Sequence, residues 1–148
     1  MPRLSLLHPA DPKLQATLRS LLRFVTGFLF FFHGTQKLFA MPDGGMGPGG
    51  GPVHLASLFG AAGVIETFGG ALICVGLFTQ IAAFIASGEM AFAYFLKHNP
   101  RGFLPIVNHG ELVVLFCFIF LYIAFAGGGP YGVDGLLRRG GSTSPPAS

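Results

Sequence analysis

Four stretches of the 148-residue chain, 21–39, 58–78, 79–96 and 109–126, are apolar over close to the length that crosses a lipid bilayer. The hydrocarbon core needs about 20 residues of helix to span it. Every backbone amide there must be satisfied internally, which leaves helices and closed barrels as the only spanning structures. The pattern predicts an all-α membrane fold: a four-transmembrane-helix bundle running up, down, up and down. With 51% apolar and only 10% charged residues, the composition lies outside that of an ordinary soluble domain. The first run begins at Leu21 with no small-residue cleavage site behind it, so it reads as a retained helix and not as a signal peptide. Phe accounts for 17 residues, Tyr for 3 and Trp for none, too few amphipathic rings for an ordinary interfacial belt. Phe is therefore expected at lipid-facing and packing positions. Cys74 and Cys117 lie inside apolar runs without metal-site or redox-motif spacing, and read as small buried hydrophobes.

Three regions follow. Residues 1–20 form an N-terminal segment in which "PKLQATLRSLLRF" interleaves basic and apolar residues, as expected of an amphipathic stretch on an anionic membrane surface. Residues 21–127 are the transmembrane domain, and 128–148 are a polar tail whose last ten residues are expected to be disordered. Almost nothing separates the second and third runs, so they form a tight hairpin turning near Thr79 and Gln80. The linker "MPDGGMGPGGGPVH" is too rich in Gly and Pro for regular structure and reads as a mobile loop. "KHNPRGFLPIVN" reads as a more ordered loop, with a re-entrant path open to it. Arg3, Lys13, Arg19, Arg138 and Arg139 fall on the side of both termini, against Lys97 and Arg101 on the other. The positive-inside rule then makes both termini cytoplasmic, and the expected location is the inner membrane of a prokaryote.

All three glutamates, Glu66, Glu89 and Glu111, lie within the predicted spans. Each carries an insertion penalty of about 2.5–3.5 kcal/mol at a helix centre. At about 1.5 Å per residue, Glu66, Glu89 and His33 all lie roughly 10 Å below the outer ends of their helices, with Lys37, His109 and Glu111 shallower. One outer-half polar cluster drawing on all four helices is expected. Arg23, Thr26, Phe30, His33 and Lys37 are spaced three or four apart, a single stripe of the first helix. Asn108, Glu111, Leu115, Phe118 and Tyr122 repeat the pattern on the fourth, and both stripes are expected to face the bundle interior. Gly63, Gly69, Gly70, Ala82, Ala83, Ala86 and Ala93 allow close helix approach on the second and third. Arg23, a turn inside the cytoplasmic end, either snorkels or finds an intramembrane partner such as a backbone carbonyl or a quinone-like ligand.

The cluster has more than one chemical reading. Ion pairs that only fix helix register would use the same residues. Three carboxylates against one lysine leave excess acid, which suits proton handling. A di-metal carboxylate centre lacks the Glu-x-x-His pairs of ferritin-like bundles, so no metal site is assigned. Haem between His33 and His109 has no supporting motif. His8, His54 and His98 read as solvated loop residues. The glycine run has no GK[ST] and reads as linker, and there is no nucleic-acid signature.

The stretches "RFVTGFLFFFHGTQKL", "GVIETFGGALICVGLFT" and "GFLPIVNHGELVVLF" resemble the DoxX family, small four-helix membrane proteins named after a subunit of an archaeal terminal quinol oxidase that also appears in thiosulfate:quinone oxidoreductase. The resemblance runs from about Arg23 to Asp134 and points to Arg23, His33, Gly34, Lys37, Glu66, Gly69, Gly70, Asn108, Gly110 and Glu111. The family often has Asn-Gly-Gly-Glu where this chain has "NHGE", which makes His109 an added titratable group. It often has Thr-Arg where this chain has Thr79-Gln80, one cytoplasmic charge fewer. The resemblance implies a subunit of a quinone-linked oxidoreductase or respiratory system, with no covalently bound cofactor and quinone as the ligand. Glu66, Glu89, Glu111 and His33 are the expected catalytic or proton-relay groups, and Arg23, Lys37, Asn108 and His109 the expected quinone contacts. Expected partners are the lipid bilayer and a larger membrane complex or a second copy. The alternatives are a non-catalytic structural or assembly subunit and, with no inverted repeat to support it, a small transporter.

Overall fold

The computed structural model describes residues 11–140. Among these residues all regular structure is helical, in six α-helices, the first two joined by a long loop and the others by shorter connections. Helix α1 (Pro12–Phe39) starts where the Asp11 carboxylate accepts the Lys13 amide at 2.9 Å, with Pro12 at the first helical position. It runs 28 residues without a break, about 42 Å. Residues 12–20, expected in a separate surface segment, are thus the first turns of the same helix, since nothing between Asp11 and Ala40 interrupts it. The remainder of that segment lies outside the described residues. Ala40, in the left-handed region, ends the helix.

Helix α2 (Leu58–Val75) is capped by the Ser57 hydroxyl, which accepts the Gly60 amide at 3.1 Å. It stops at Gly76, whose φ of 77° allows two amides, Gly76 and Leu77, to return to the Leu72 carbonyl. The hairpin turn therefore lies at residues 76–78, just before the expected Thr79–Gln80. Helix α3 (Thr79–Ala93) continues through a wider turn, Tyr94–His98, and a tight one, Asn99–Arg101. The short α4 (Pro105–Asn108) and α5 (Glu111–Ala126) follow. The polar tail contains a further helix, α6 (Val133–Gly140), whose last two residues fall in the stretch expected to be disordered. It forms because the Asp134 carboxylate accepts the amides of Phe78 and Thr79 at 3.0 and 2.9 Å, capping α3 and docking the tail under the hairpin. Residues 141–148 lie outside the described residues.

By length and apolarity, α2 and the continuous stretch Thr79–Arg101 are each able to cross a membrane, and α5 is apolar but shorter. Helix α1 is long enough but carries Arg23, His33 and Lys37 along it.

The four long helices pack as two intimate antiparallel pairs, α1 with α2 and α3 with α5. Glycines set the first pair. A Cβ on Gly27 would lie 2.6 Å from the Cys74 amide, on Gly34 2.3 Å from that of Thr67, and on Gly70 2.5 Å from that of Phe31. The two backbones are in contact along their length. Gly69, by contrast, faces open space. Ala82, Ala83 and Ala86 are buried on α3 as anticipated, and Phe30 joins the two pairs, its ring 4.7 Å from Phe120 and 5.8 Å from Phe116.

The α1 stripe faces inward. The α5 stripe does not: Leu115, Phe118 and Tyr122 are exposed, and Phe116, Phe120, Ile123 and Ala124 form the buried face instead. Asn108 and Glu111 misled as markers because left-handed His109 (φ 58°) separates Asn108 from α5, so the two residues do not share one helical register. All four long helices turn large apolar side chains outward, among them Phe28, Phe68, Phe84 and Phe125 at 45–77% exposure, a surface suited to lipid and unlike that of a soluble monomer.

Candidate functional site

The close approach of Gly34 to Thr67 fixes what lies one turn further along. Lys37 and Glu66 are brought face to face, and the lysine Nζ donates to both carboxylate oxygens at 2.6 and 2.5 Å. Both side chains are nearly removed from the surface, at 11% and 3% exposure. Gly63 makes room for the lysine stem, since a Cβ there would sit 3.1 Å from that of Lys37. The Lys37 carbonyl accepts the Val53 amide at 2.8 Å, so the glycine-rich loop folds back onto the same turn of α1. That loop, expected to be irregular, holds a short 3₁₀ turn at Pro48–Gly50 and places Met46 against the site.

The ion pair forms one wall of a cavity of about 350 Å³, within the range of small-molecule sites. Phe30 and Met90 line it at the core side, and His33 from α1 and Glu89 from α3 complete the polar wall. His33 packs edge-on against the Phe116 ring, with centroids 5.9 Å apart. One oxygen of Glu89, Oε2, is buried and has no hydrogen-bond partner. The mouth between α2 and α3 is apolar and exposed, formed by Leu58, Phe59, Phe92 and Leu96.

Three cationic or titratable groups on the rim were not anticipated: Lys97, His98 and Arg101. Lys97 extends from the wider turn after α3 over the Phe59 ring of α2, 4.3 Å from its centroid. Glu89, Ala93 and Lys97 are spaced four apart, a single helical face, and that spacing was the available signal.

Of the residues singled out in the sequence, Glu66, Glu89, His33 and Lys37 line this cavity. The expected meeting of three glutamates is a meeting of two. Glu111 is exposed in the first turn of α5, where a carboxylate complements the helix dipole, and α5 gives the cavity Leu112 and Val113 instead. His109 is also exposed, in the left-handed conformation that favours the glycine of the resembled motif. Asn108 is fully buried but bound within its own loop. Its amide donates to the Gly102 carbonyl at 2.6 Å and the Tyr94 hydroxyl at 3.2 Å, its Oδ1 accepts the Gly110 amide at 2.8 Å, and its backbone carbonyl lies 3.1 Å from Nδ1 of His98. It positions the rim and does not touch the cavity.

Arg23 lies fourteen residues from Lys37, about 21 Å along α1. Its guanidinium donates to the carbonyls of Ile73, Cys74, Gly128 and Tyr131 at 2.5–2.9 Å, with no carboxylate in the set. Of its two expected fates, the backbone carbonyl is the one observed. Arg19 adds a bond to the Ala126 carbonyl at 2.8 Å. This end of the bundle is a clasp joining the start of α1, the end of α2 and the segment after α5. Among the described residues, no three His, Cys, Asp or Glu side chains gather as a metal site.

A family model, DoxX, matches residues 18–99, the segment that builds α1, α2, α3 and the Lys37–Glu66 pair. The chain belongs to the DoxX family. The protein is similar to an uncharacterised protein of Haemophilus influenzae, 44% identical over 119 residues that cover 76% of this chain and 85% of the relative. No solved structure matches it. As a DoxX protein the chain is a membrane protein, in keeping with its apolar helices and outward-facing phenylalanines.

Proposed function

We propose that this DoxX protein crosses the inner membrane of a prokaryote four times, with both termini in the cytoplasm, and serves as a quinone-binding or proton-relaying subunit of an oxidoreductase system. The carrying observation is the cavity: a polar wall of Lys37, Glu66, Glu89 and His33 behind an apolar mouth that opens on the lipid-facing surface. A quinone has that same division, a head of two acceptor oxygens on a hydrocarbon tail. Lys37, Lys97 and His33 carry nitrogen donors for the head, and Phe59, Phe92 and Leu96 match the tail. Arg19, Arg138 and Arg139 at the clasp end, with Lys97 and Arg101 at the cavity end, support cytoplasmic termini and a site in the outer half. A chain of this size without a redox-cofactor motif does not complete electron transfer alone, so the reading includes a larger complex that carries the redox centre.

The test is a titration of a short-chain quinone against the protein in detergent, with quinol-linked turnover measured in native membranes, for wild type and Glu89→Met. The reading expects weaker binding and slower turnover in the variant. Equal values in both would remove the cavity from the function.

A second reading, a non-catalytic assembly subunit, is favoured by one observation. Phe24, Phe28 and Phe32 form an outward ladder on α1, with centroids 6.0 and 4.9 Å apart, a surface that another membrane helix could cover. Recovery with a stoichiometric complex, and normal function of Glu89→Met within it, identifies this case.

A further inference from the structure

The two carboxyls of the cavity do not hold equivalent places. Lys37 donates to both oxygens of Glu66, so each side of that pair meets the other's need and the pair behaves as a fixed strut between α1 and α2. Glu89 stands on α3, across the α2–α3 mouth, with its Oε2 enclosed and unpartnered. The groups facing it are Lys37 and His33 from α1, Glu66 from α2, and Lys97, His98 and Arg101 from the continuation of α3. Lys37 is bound to Glu66, while Lys97 lies over the Phe59 ring and His98 is held at the Asn108 carbonyl. An enclosed carboxylate oxygen with no donor is costly as an anion, and the acid form removes that cost by losing the charge.

We infer that Glu89 is the group of this cavity that engages the ligand, presenting a protonated carboxyl to an acceptor oxygen, while Glu66 is held out of the chemistry by Lys37. The inference rests on the cavity being a ligand site, as proposed above, and assigns the ligand a lipid-soluble body with a carbonyl-type acceptor on its head. In a hydrogen bond to that acceptor, Glu89 donates its proton through one oxygen.

A membrane-soluble carbodiimide, dicyclohexylcarbodiimide, tests this without any assay of activity. A carboxylic acid gives its proton to a nitrogen of the reagent, and its oxygen bonds to the central carbon. An oxygen-to-nitrogen acyl shift then leaves a stable acylurea in which the whole reagent has been added and nothing has left. The full-length protein in native membranes is treated, and its peptides are weighed. Modification is expected at Glu89 in preference to Glu66, absent in Glu89→Gln, and slowed by a short-chain quinone. In Lys37→Met, Glu66 loses its partner and is expected to become reactive as well. Reaction at Glu66 in that variant while Glu89 stays unmodified shows that the reagent reaches the cavity and overturns the inference. Reaction at Glu89 that no quinone slows upholds its open state and removes the quinone reading instead. With binding as the readout, Glu89→Met, which has no donor, is expected to weaken the quinone by about tenfold, the scale of one buried hydrogen bond, whereas Glu89→Gln, whose amide still donates, is expected to bind more nearly as wild type.

Discussion

Removing one partner of the Lys37–Glu66 pair separates a coupled strut from two adjacent polar residues. Lys37→Met keeps the length of the stem but leaves Glu66, 2% exposed, with neither of the two bonds it accepts. Breaking a buried ion pair by deleting one member costs about 3–5 kcal/mol, most of it from the charge left behind. Glu66→Gln, which strands the ammonium, belongs in the same range. The double variant Lys37→Met/Glu66→Gln has no stranded charge, and its cost is expected to be no larger than that of either single change. The coupling is then at least about 3 kcal/mol, several times the scatter between independent sites. The assay is reversible unfolding in mixed detergent micelles, run on the wild type, both single variants and the double variant. If the two single costs simply add in the double variant, the side chains do not act on each other and the geometry described for the cavity wall is wrong.

Three further outcomes follow from the packing and the clasp. Gly34→Ala, whose new Cβ would meet Thr67 at 2.3 Å, is expected to destabilise by about 1–3 kcal/mol through overpacking, whereas Gly69→Ala, facing open space, is expected to be neutral or slightly stabilising by the same assay. Arg23→Lys keeps the charge but not the fork that serves four carbonyls, so it is expected to lose about 2–4 kcal/mol and to resemble Arg23→Met more than wild type. For Asp134, slight burial raises the carboxyl's proton affinity, but the hydrogen bonds from Thr79 and Phe78, with the charge of Arg138, outweigh it and hold the pKa below the ordinary carboxylate value. A depressed folded-state pKa contributes stability above the unfolded value and loses it as pH falls through the folded one. A spin label at Leu137→Cys is therefore expected to stay ordered at neutral pH and to loosen below about pH 4, and Asp134→Asn is expected to abolish that acid step.

What the sequence made legible follows from where polar groups interrupt apolar runs. On α1, Arg23, Thr26, His33 and Lys37 mark one stripe, and the buried face is that stripe. On α5 nothing from Leu112 to Ala126 is charged, so its inward side is decided by Phe116 and Phe120 packing at an angle against Phe30, a tertiary choice that no periodicity records. Gly27 was not singled out because a glycine in a long helix announces close approach only once its opposite backbone is known. The rim residues Lys97 and Arg101 read as topology signals, and their second role depends on the wider turn at Tyr94–His98 that carries α3 onward. Helix α6 escaped notice because it is short and glycine-flanked, and what orders it is the amides at the start of α3, more than fifty residues earlier.

The clasp also bears on biosynthesis. Two of the carbonyls that receive the Arg23 guanidinium belong to residues made 105 and 108 positions later, and the Ser20 hydroxyl likewise waits for the Tyr131 amide. A nascent chain that has inserted its first two helices therefore holds a cation in lipid with half its acceptors still unmade. Final closure of the bundle is a last-in event, so a tag or truncation introduced between Ala126 and Val133 would leave the opening helix unfastened however well the apolar core has formed.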